Sequence, residues 1–203
     1  MGFLAGRFVG SGGQIYAFEP QPSLASKLSQ LMQWKGWSNI AVENFGVSSE
    51  AGQLTLNMPG GSPSPGASLE VLPSHQQEFA YEVDVTTLDE YFSGDAALDR
   101  LDFVKCDTEG HELEVFRGGR QLLQTFKPTL LFECEARHRS SGTVHEVFSY
   151  LEDLGYEGAF LGKHGLIDIQ EFDPAKHQVE PGSADYATNF VFTASPQMLR
   201  AAA

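Results

Sequence analysis

The sequence predicts an α/β fold with a mostly parallel sheet and helices on both faces. Three features carry that expectation. Short β-rich runs alternate with helical stretches from Gln14 to Thr193. The run Thr129–Cys134 (TLLFEC) is nearly continuously apolar, as in a strand covered on both faces. Acidic residues also stand at the ends of β-rich runs, at Glu19, at Asp107 and at Glu133 or Glu135, where open α/β sheets bind their ligands.

Gln14–Phe18 (QIYAF) follows the turn Gly10-Ser11-Gly12-Gly13 and reads as a strand. Pro22 suits a first helical turn, Leu24, Leu28, Leu31 and Trp34 recur at helical spacing, and Gly36 stops the helix. Asn39–Glu43 and Gln53–Asn57 are further strands, while residues 59–68 (PGGSPSPGAS) form a loop by their turn chemistry. Tyr81–Val85 is a short strand, and Thr87 with Glu90 forms a capping box opening a short helix. Asp102–Cys106 is the next strand. A helix follows from about His111 to Phe126, weakened at Gly118-Gly119 by about 1 kcal/mol per glycine. Behind a Thr143–Glu146 capping box, Val144, Val147, Phe148, Leu151 and Leu154 share one helical face. Strands near 157–161 and 189–193 close the chain, and no repeat divides it, so residues 1–203 are expected to form one domain.

Composition narrows the function. The 203 residues include 13 basic and 27 acidic side chains, a net charge of −14, which disfavours nucleic-acid phosphates and anionic membrane surfaces. Two cysteines, Cys106 and Cys134, both lie in apolar runs and read as buried thiols of a reducing compartment. No apolar run approaches the ~20 residues that span a bilayer. The start, MGFLAGRFVGSGG, has Arg7 inside its short apolar part and is a poor signal peptide. It also lacks the Ser or Thr at position 6 that myristoylation favours. A cytoplasmic protein is the expectation.

The stretch FVKCDTEGHELEVFRGG (103–119) concentrates the chemistry. Asp107, Glu109, His111 and Glu112 are donors a metal could use, but the His-Glu pair lacks a second histidine four residues on, so the metalloprotease motif is absent. Glu112 and Glu114 read as first-turn charges that favour the helix dipole. Asp107 differs, because it ends the strand where a substrate would sit. His138, just past TLLFECEA, is the other histidine in reach of that edge and a candidate base, whereas His145 reads as a surface residue. Glu19 is either a ribose acceptor or a solvated turn glutamate before Pro20. The glycines at 10–13 precede a strand and lie only six residues from Glu19, so they are a turn and not a phosphate loop. The chain has no G-x-S-x-G elbow, P-loop or C-x-x-C pair.

IYAFEP, NFGVSSEAGQLTL, VTTLDEYF, DFVKCDTEGHELEVFRGG and PTLLFE follow one another in an order and spacing similar to FkbM-type methyltransferases, over roughly residues 5–195. The resemblance implies a Rossmann-like class I methyltransferase fold that uses S-adenosylmethionine, usually to methylate a hydroxyl of a sugar or natural product. It implies Glu19 on the cofactor ribose, Asn44, Phe45 and Gly46 beside the adenine, and Ser68 lining the cofactor or substrate pocket. It also implies that Asp107 and Glu109 form an acidic lip beside the methyl group and that Glu133 is its match on the next strand. Cys106 and Thr108 fill slots where the family more often has Asp or Asn, and Val. One departure is larger: the strand and D-x-G-A-N-x-G loop that open such enzymes are missing, and MGFLAGRFVG aligns with the helix that follows them. The first strand belongs mid-sheet, so either the sequence is an N-terminally truncated fragment or another chain supplies the strand, and truncation is the expectation.

The leading expectation is therefore a methyltransferase acting by in-line displacement on a small-molecule acceptor, with Asp107 or His138 as base and no metal. The alternative is a catalytically inactive or weakly cofactor-binding module that keeps the fold. A metal-dependent hydrolase built on Asp107, Glu109 and His111 is the third reading. The loop at 59–68 and the segment 163–188 are expected to shape the acceptor pocket.

Overall fold

The computed structural model describes residues 9–10, 12–61, 63–71, 79–94, 97–139, 142–195, 197 and 199. The glycine turn leads into β1 (Ile15–Phe18), helix α1 (Pro22–Lys35) and β2 (Ile40–Glu43), which pairs with β1 in parallel. Pro22 starts α1 as its sequence requires, and Gly36 ends it in the left-handed region at φ 69°. Next come β3 (Gly46–Val47), β4 (Gly52–Met58) and β5 (Phe79–Thr86), then the single-turn helix α2 (Leu88–Tyr91), capped where Thr87 Oγ1 accepts from Glu90 N–H. The strand of the acidic stretch is β6 (Phe103–Cys106), followed by helices α3 (Glu112–Gly118) and α4 (Arg120–Phe126) and by β7 (Thr129–Glu133). The chain continues through α5 (Val144–Asp153), β8 (Glu157–Gly162), β9 (Gly165–Asp168), α6 (Pro174–His177) and β10 (Asn189–Thr193).

The expectation of a mostly parallel sheet is corrected. Strands β6 and β7 are parallel, but the five-stranded sheet in the order β6-β7-β10-β8-β9 is antiparallel from β7 onward. Connection length accounts for the two ends of this sheet. Helices cross over between β6 and β7, whereas the two residues between β8 and β9 permit only an antiparallel hairpin. Strands β3, β5 and β4 form a separate three-stranded sheet, so the alternating run expected at 53–57 lies outside the main sheet. No ladder joins β1 to β6 among the described residues. The expected loss of a first strand concerns the chain before β1, and residues 1–8 lie outside those described.

The core fills the side of the main sheet covered by α3, α4 and α5. Phe116, Phe132, Phe148, Phe190 and Phe192 are buried there, with ring centroids 4.8 to 6.4 Å apart among the contacting pairs. The apolar face predicted for α5 is the one that packs inward, although Thr143 makes no side-chain cap. The helix expected over 111–126 breaks at Gly119. Gly118 lies so close to the chain after β3 that a Cβ there would sit 2.0 Å from the Ser48 carbonyl oxygen. Helix α4 starts afresh because the Asp89 carboxylate of α2 accepts from the Gln121 and Leu122 N–H groups at 2.9 and 3.0 Å.

Candidate active site at the strand ends

Strands β6 and β7 run side by side with Cys106 opposite Phe132, so the residues just beyond them share one edge. Asp107 stands there, 43% exposed at its side chain, with Lys105 Nζ 3.0 Å from its Oδ2. Glu133 ends β7, and its Oε1 accepts from Thr188 Oγ1 at 3.1 Å. Burial pushes the Glu133 carboxyl above its ordinary range and the Asp107 charge adds to it, while Thr188 and Lys105 pull back. Two carboxylates of adjacent strands and one ammonium thus face the same edge.

The loop after β6 carries the second pair. Glu109 adopts φ 52°, a left-handed conformation that costs a non-glycine residue about 1–2 kcal/mol. Its Oε2 lies 2.7 Å from Nδ1 of His138. That carboxylate raises the imidazole pKa above 6.5 against the opposing effect of burial, with a further push from Glu135. Beyond His138, Glu135 holds Arg137 at 2.6 and 3.1 Å and accepts from the Tyr186 hydroxyl. Burial alone would raise Glu135, yet these partners and His138 hold it below the usual carboxylate range.

Glu112 carries the loop from beneath. Its place in the first helical turn predicts a helix-start charge, but it is 0% exposed, and Oε1 accepts from Thr108 N–H, Thr108 Oγ1 and Gly110 N–H at 3.3, 3.0 and 3.0 Å. Its Oε2 has no hydrogen-bond partner among the described residues, and burial raises its pKa. Glu114 does behave as a helix-start charge, half-buried and pairing with the exposed Arg117 at 2.6 Å. Cys106 and Cys134 are buried free thiols, and burial beside Glu112 raises both. His145 is exposed at the start of α5, as expected.

The residues implied for the cofactor gather at the other pair of strands. Glu19 follows β1, where its Oε1 accepts from Gln21 N–H at 2.9 Å, and burial raises its pKa. Asn44, exposed, donates to the Glu19 and Pro20 carbonyls at 3.0 and 3.3 Å. Phe45 leans on Phe18 and Tyr91, with centroids 5.6 Å from each. Gly46 is buried in the ladder with Val85, where a Cβ would come within 3.1 Å of that side chain. Ser68 is 1% exposed; its hydroxyl donates to the Glu109 carbonyl at 2.7 Å. The structure therefore places Glu19 and Phe45 at one pair of strand ends and Asp107, Glu109 and His138 at another, with Ser68 bracing the loop between strand and helix.

A third cluster was absent from the sequence reading. His111 Nδ1 lies 2.8 Å from Glu70 Oε1, and Nε2 is 3.0 Å from Ser48 Oγ. These distances suit a serine–histidine–carboxylate relay, but Ser48 and His111 are each 5% exposed, so the chain ties three loops together inside the protein. Only a spacing rule across 63 residues could have revealed it, and none exists. Among the described residues, no group of His, Cys, Asp and Glu side chains forms a metal site. A surface cavity of about 380 Å³ beneath the β8–β9 hairpin shares no residue with the strand-end clusters.

Residues 3–157 match the Methyltransferase FkbM domain. This chain belongs to the FkbM methyltransferase family. The FkbM domain here also resembles the crystal structure of methyltransferase FkbM from Methylobacillus flagellatus KT, with a TM-score of 0.54 and 17% identity. That likeness covers 89% of this chain but 36% of the other, so the chain spans about a third of that protein's length. At this identity it speaks to the fold, a mixed α/β arrangement. No functionally curated protein matches the chain. Among the described residues no helix is long and apolar enough to cross a membrane.

Proposed function

We propose that this FkbM domain methylates a hydroxyl of a small polyol acceptor, a sugar or natural product, using S-adenosylmethionine. The observation that carries the reading is the Glu109–His138 pair beside Asp107 at the ends of β6 and β7. The cofactor, when bound, supplies a methyl group on a positively charged sulfur. The residues present suit its nucleoside part. The Glu19 carboxylate, whose Oε1 accepts from Gln21 N–H, can accept from a ribose hydroxyl as well, and Phe45 offers an aromatic face beside Phe18.

Asp107 and Glu133 are assigned to the acceptor, accepting hydrogen bonds from its hydroxyls and orienting one of them. His138 is assigned as the base. Glu109 engages Nδ1, and its carboxylate stabilises the imidazolium that results when the ring takes the acceptor proton. Tyr186, Glu135 and Arg137 hold the segment that carries His138.

The reading is tested by transfer of radiolabelled methyl from S-adenosylmethionine to a panel of methyl glycosides. The rate should rise with pH through a midpoint above 6.5, since the base must be neutral. His138→Gln should lower turnover by about 10²–10⁴-fold. Undiminished turnover in that variant would remove His138 from the mechanism.

A further inference from the structure

We infer that Ser68 and His111, through the strap of residues 68–70, are positioning residues that hold Glu109 in its left-handed conformation and so aim its carboxylate at His138. The inference rests on the proposed role of the Glu109–His138 pair and explains how that pair is built. Glu109 has no glycine-like freedom, so a residue at φ 52° persists only where its surroundings hold it. Those surroundings are specific. Ser68 Oγ donates to the Glu109 carbonyl at 2.7 Å and accepts from Glu70 N–H at 3.0 Å. Glu70 Oε1 then meets His111 Nδ1 at 2.8 Å, two residues beyond Glu109, and Ser48 holds the far side of that ring at 3.0 Å. The 68–70 strap thus grips the loop at residue 109 through a hydroxyl and at residue 111 through a carboxylate.

The strap is itself anchored. Ser68 and Asn57 exchange backbone hydrogen bonds at 2.8 and 2.9 Å, which bind it to the edge of β4. Between the two grips, Gly110 packs against the His138 main chain so closely that a Cβ would sit 1.8 Å from the His138 carbonyl oxygen. The peptide at 109–110 therefore has the strap on one side and His138 on the other. Rotating it would strip the Glu109 carbonyl of the Ser68 hydroxyl and would swing the Glu109 side chain away from Nδ1. Ser68, implied as pocket lining, and His111, weighed as a metal donor, act on the site through Glu109.

The test reads His138 directly and needs no acceptor. Histidine ring signals of labelled protein are followed by NMR from pH 5 to 9 in the wild type, Glu109→Gln, Ser68→Ala, Ser68→Thr and His111→Gln. Glu135 and Arg137, two further charged groups that act on His138, are left intact. Glu109→Gln should lower the His138 midpoint by about 1 pH unit, as loss of an adjacent opposite charge does. Ser68→Ala and His111→Gln should lower it in the same direction with Glu109 still present, and Ser68→Thr, which keeps the hydroxyl, should restore it. A Ser68→Ala midpoint equal to that of the wild type, beside a lowered Glu109→Gln midpoint, would overturn the positioning role. An unchanged Glu109→Gln midpoint would overturn the pair itself. If Ser68→Ala fails to fold by circular dichroism, the comparison of His111→Gln with Ser68→Thr decides the matter by the same midpoints. Failure of methyl transfer with these midpoints shifting as expected would refute the proposed reaction and leave the positioning intact.

Discussion

Replacing Glu112 separates a structural carboxyl from a surface charge more sharply than any other change. In Glu112→Ala the N–H groups of Thr108 and Gly110 lose their acceptor, and the Gly110 bond is buried. Stranded donors of this kind cost about 1–3 kcal/mol each, and the emptied side-chain volume adds to that. A loss of about 3–5 kcal/mol follows, which for a domain of this size lowers Tm by roughly 10 °C or more. Glu112→Gln keeps the acceptor and the volume, so it should cost far less. The pH dependence gives the sign. Burial raises the Glu112 carboxyl in the folded state, so its contribution to stability is whole below the ordinary value of 4.5 and is lost as pH rises through the folded value. Glutamine has no such loss, so Glu112→Gln should gain on the wild type between pH 4 and pH 8. Urea unfolding midpoints at the two pH values measure both effects. An alanine variant within about 1 kcal/mol of the wild type would refute the reasoning. So would a glutamine variant as unstable as alanine at both pH values.

Two further outcomes follow from single positions. Gly118→Ala should destabilise the protein by about 1–3 kcal/mol by urea unfolding, because its Cβ meets the Ser48 carbonyl at 2.0 Å, although helix propensity alone predicts a gain of about 1 kcal/mol; a gain would sink the packing argument. Calorimetric titration of this chain with S-adenosylmethionine should give an affinity weaker than micromolar, since its sequence carries no D-x-G-A-N-x-G loop, and Glu19→Ala should weaken it by a further tenfold or so. Micromolar binding, or indifference to the Glu19 change, would contradict this.

Much of the site was legible one residue at a time. Asp107 and Glu19 were found because each follows a β-rich run, and position after a strand is a local property. His138 was reachable for the same reason, three residues past Glu135 near the end of TLLFECEA. What could not be read were the partnerships. Glu112 looked like Glu114, since both fall in the first turn of a helix. The first lies under the loop at 0% exposure, while the second is half-buried and pairs with the exposed Arg117. Helical spacing places residues on a face but does not say what that face meets.

By itself the sequence determined the β–helix alternation, the buried cysteines, the apolar face of α5 and the acids at the strand ends, because these depend on periodicity and on turn chemistry within a few residues. Only the tertiary structure decided that β10 inserts antiparallel between β7 and β8, that the helix breaks at Gly119, and that Ser48, Ser68, Glu70 and His111 converge on one loop. Each of these rests on contacts between segments far apart in the chain. A left-handed Glu109 in particular is unfavourable locally and is maintained only by neighbours that the fold brings to it.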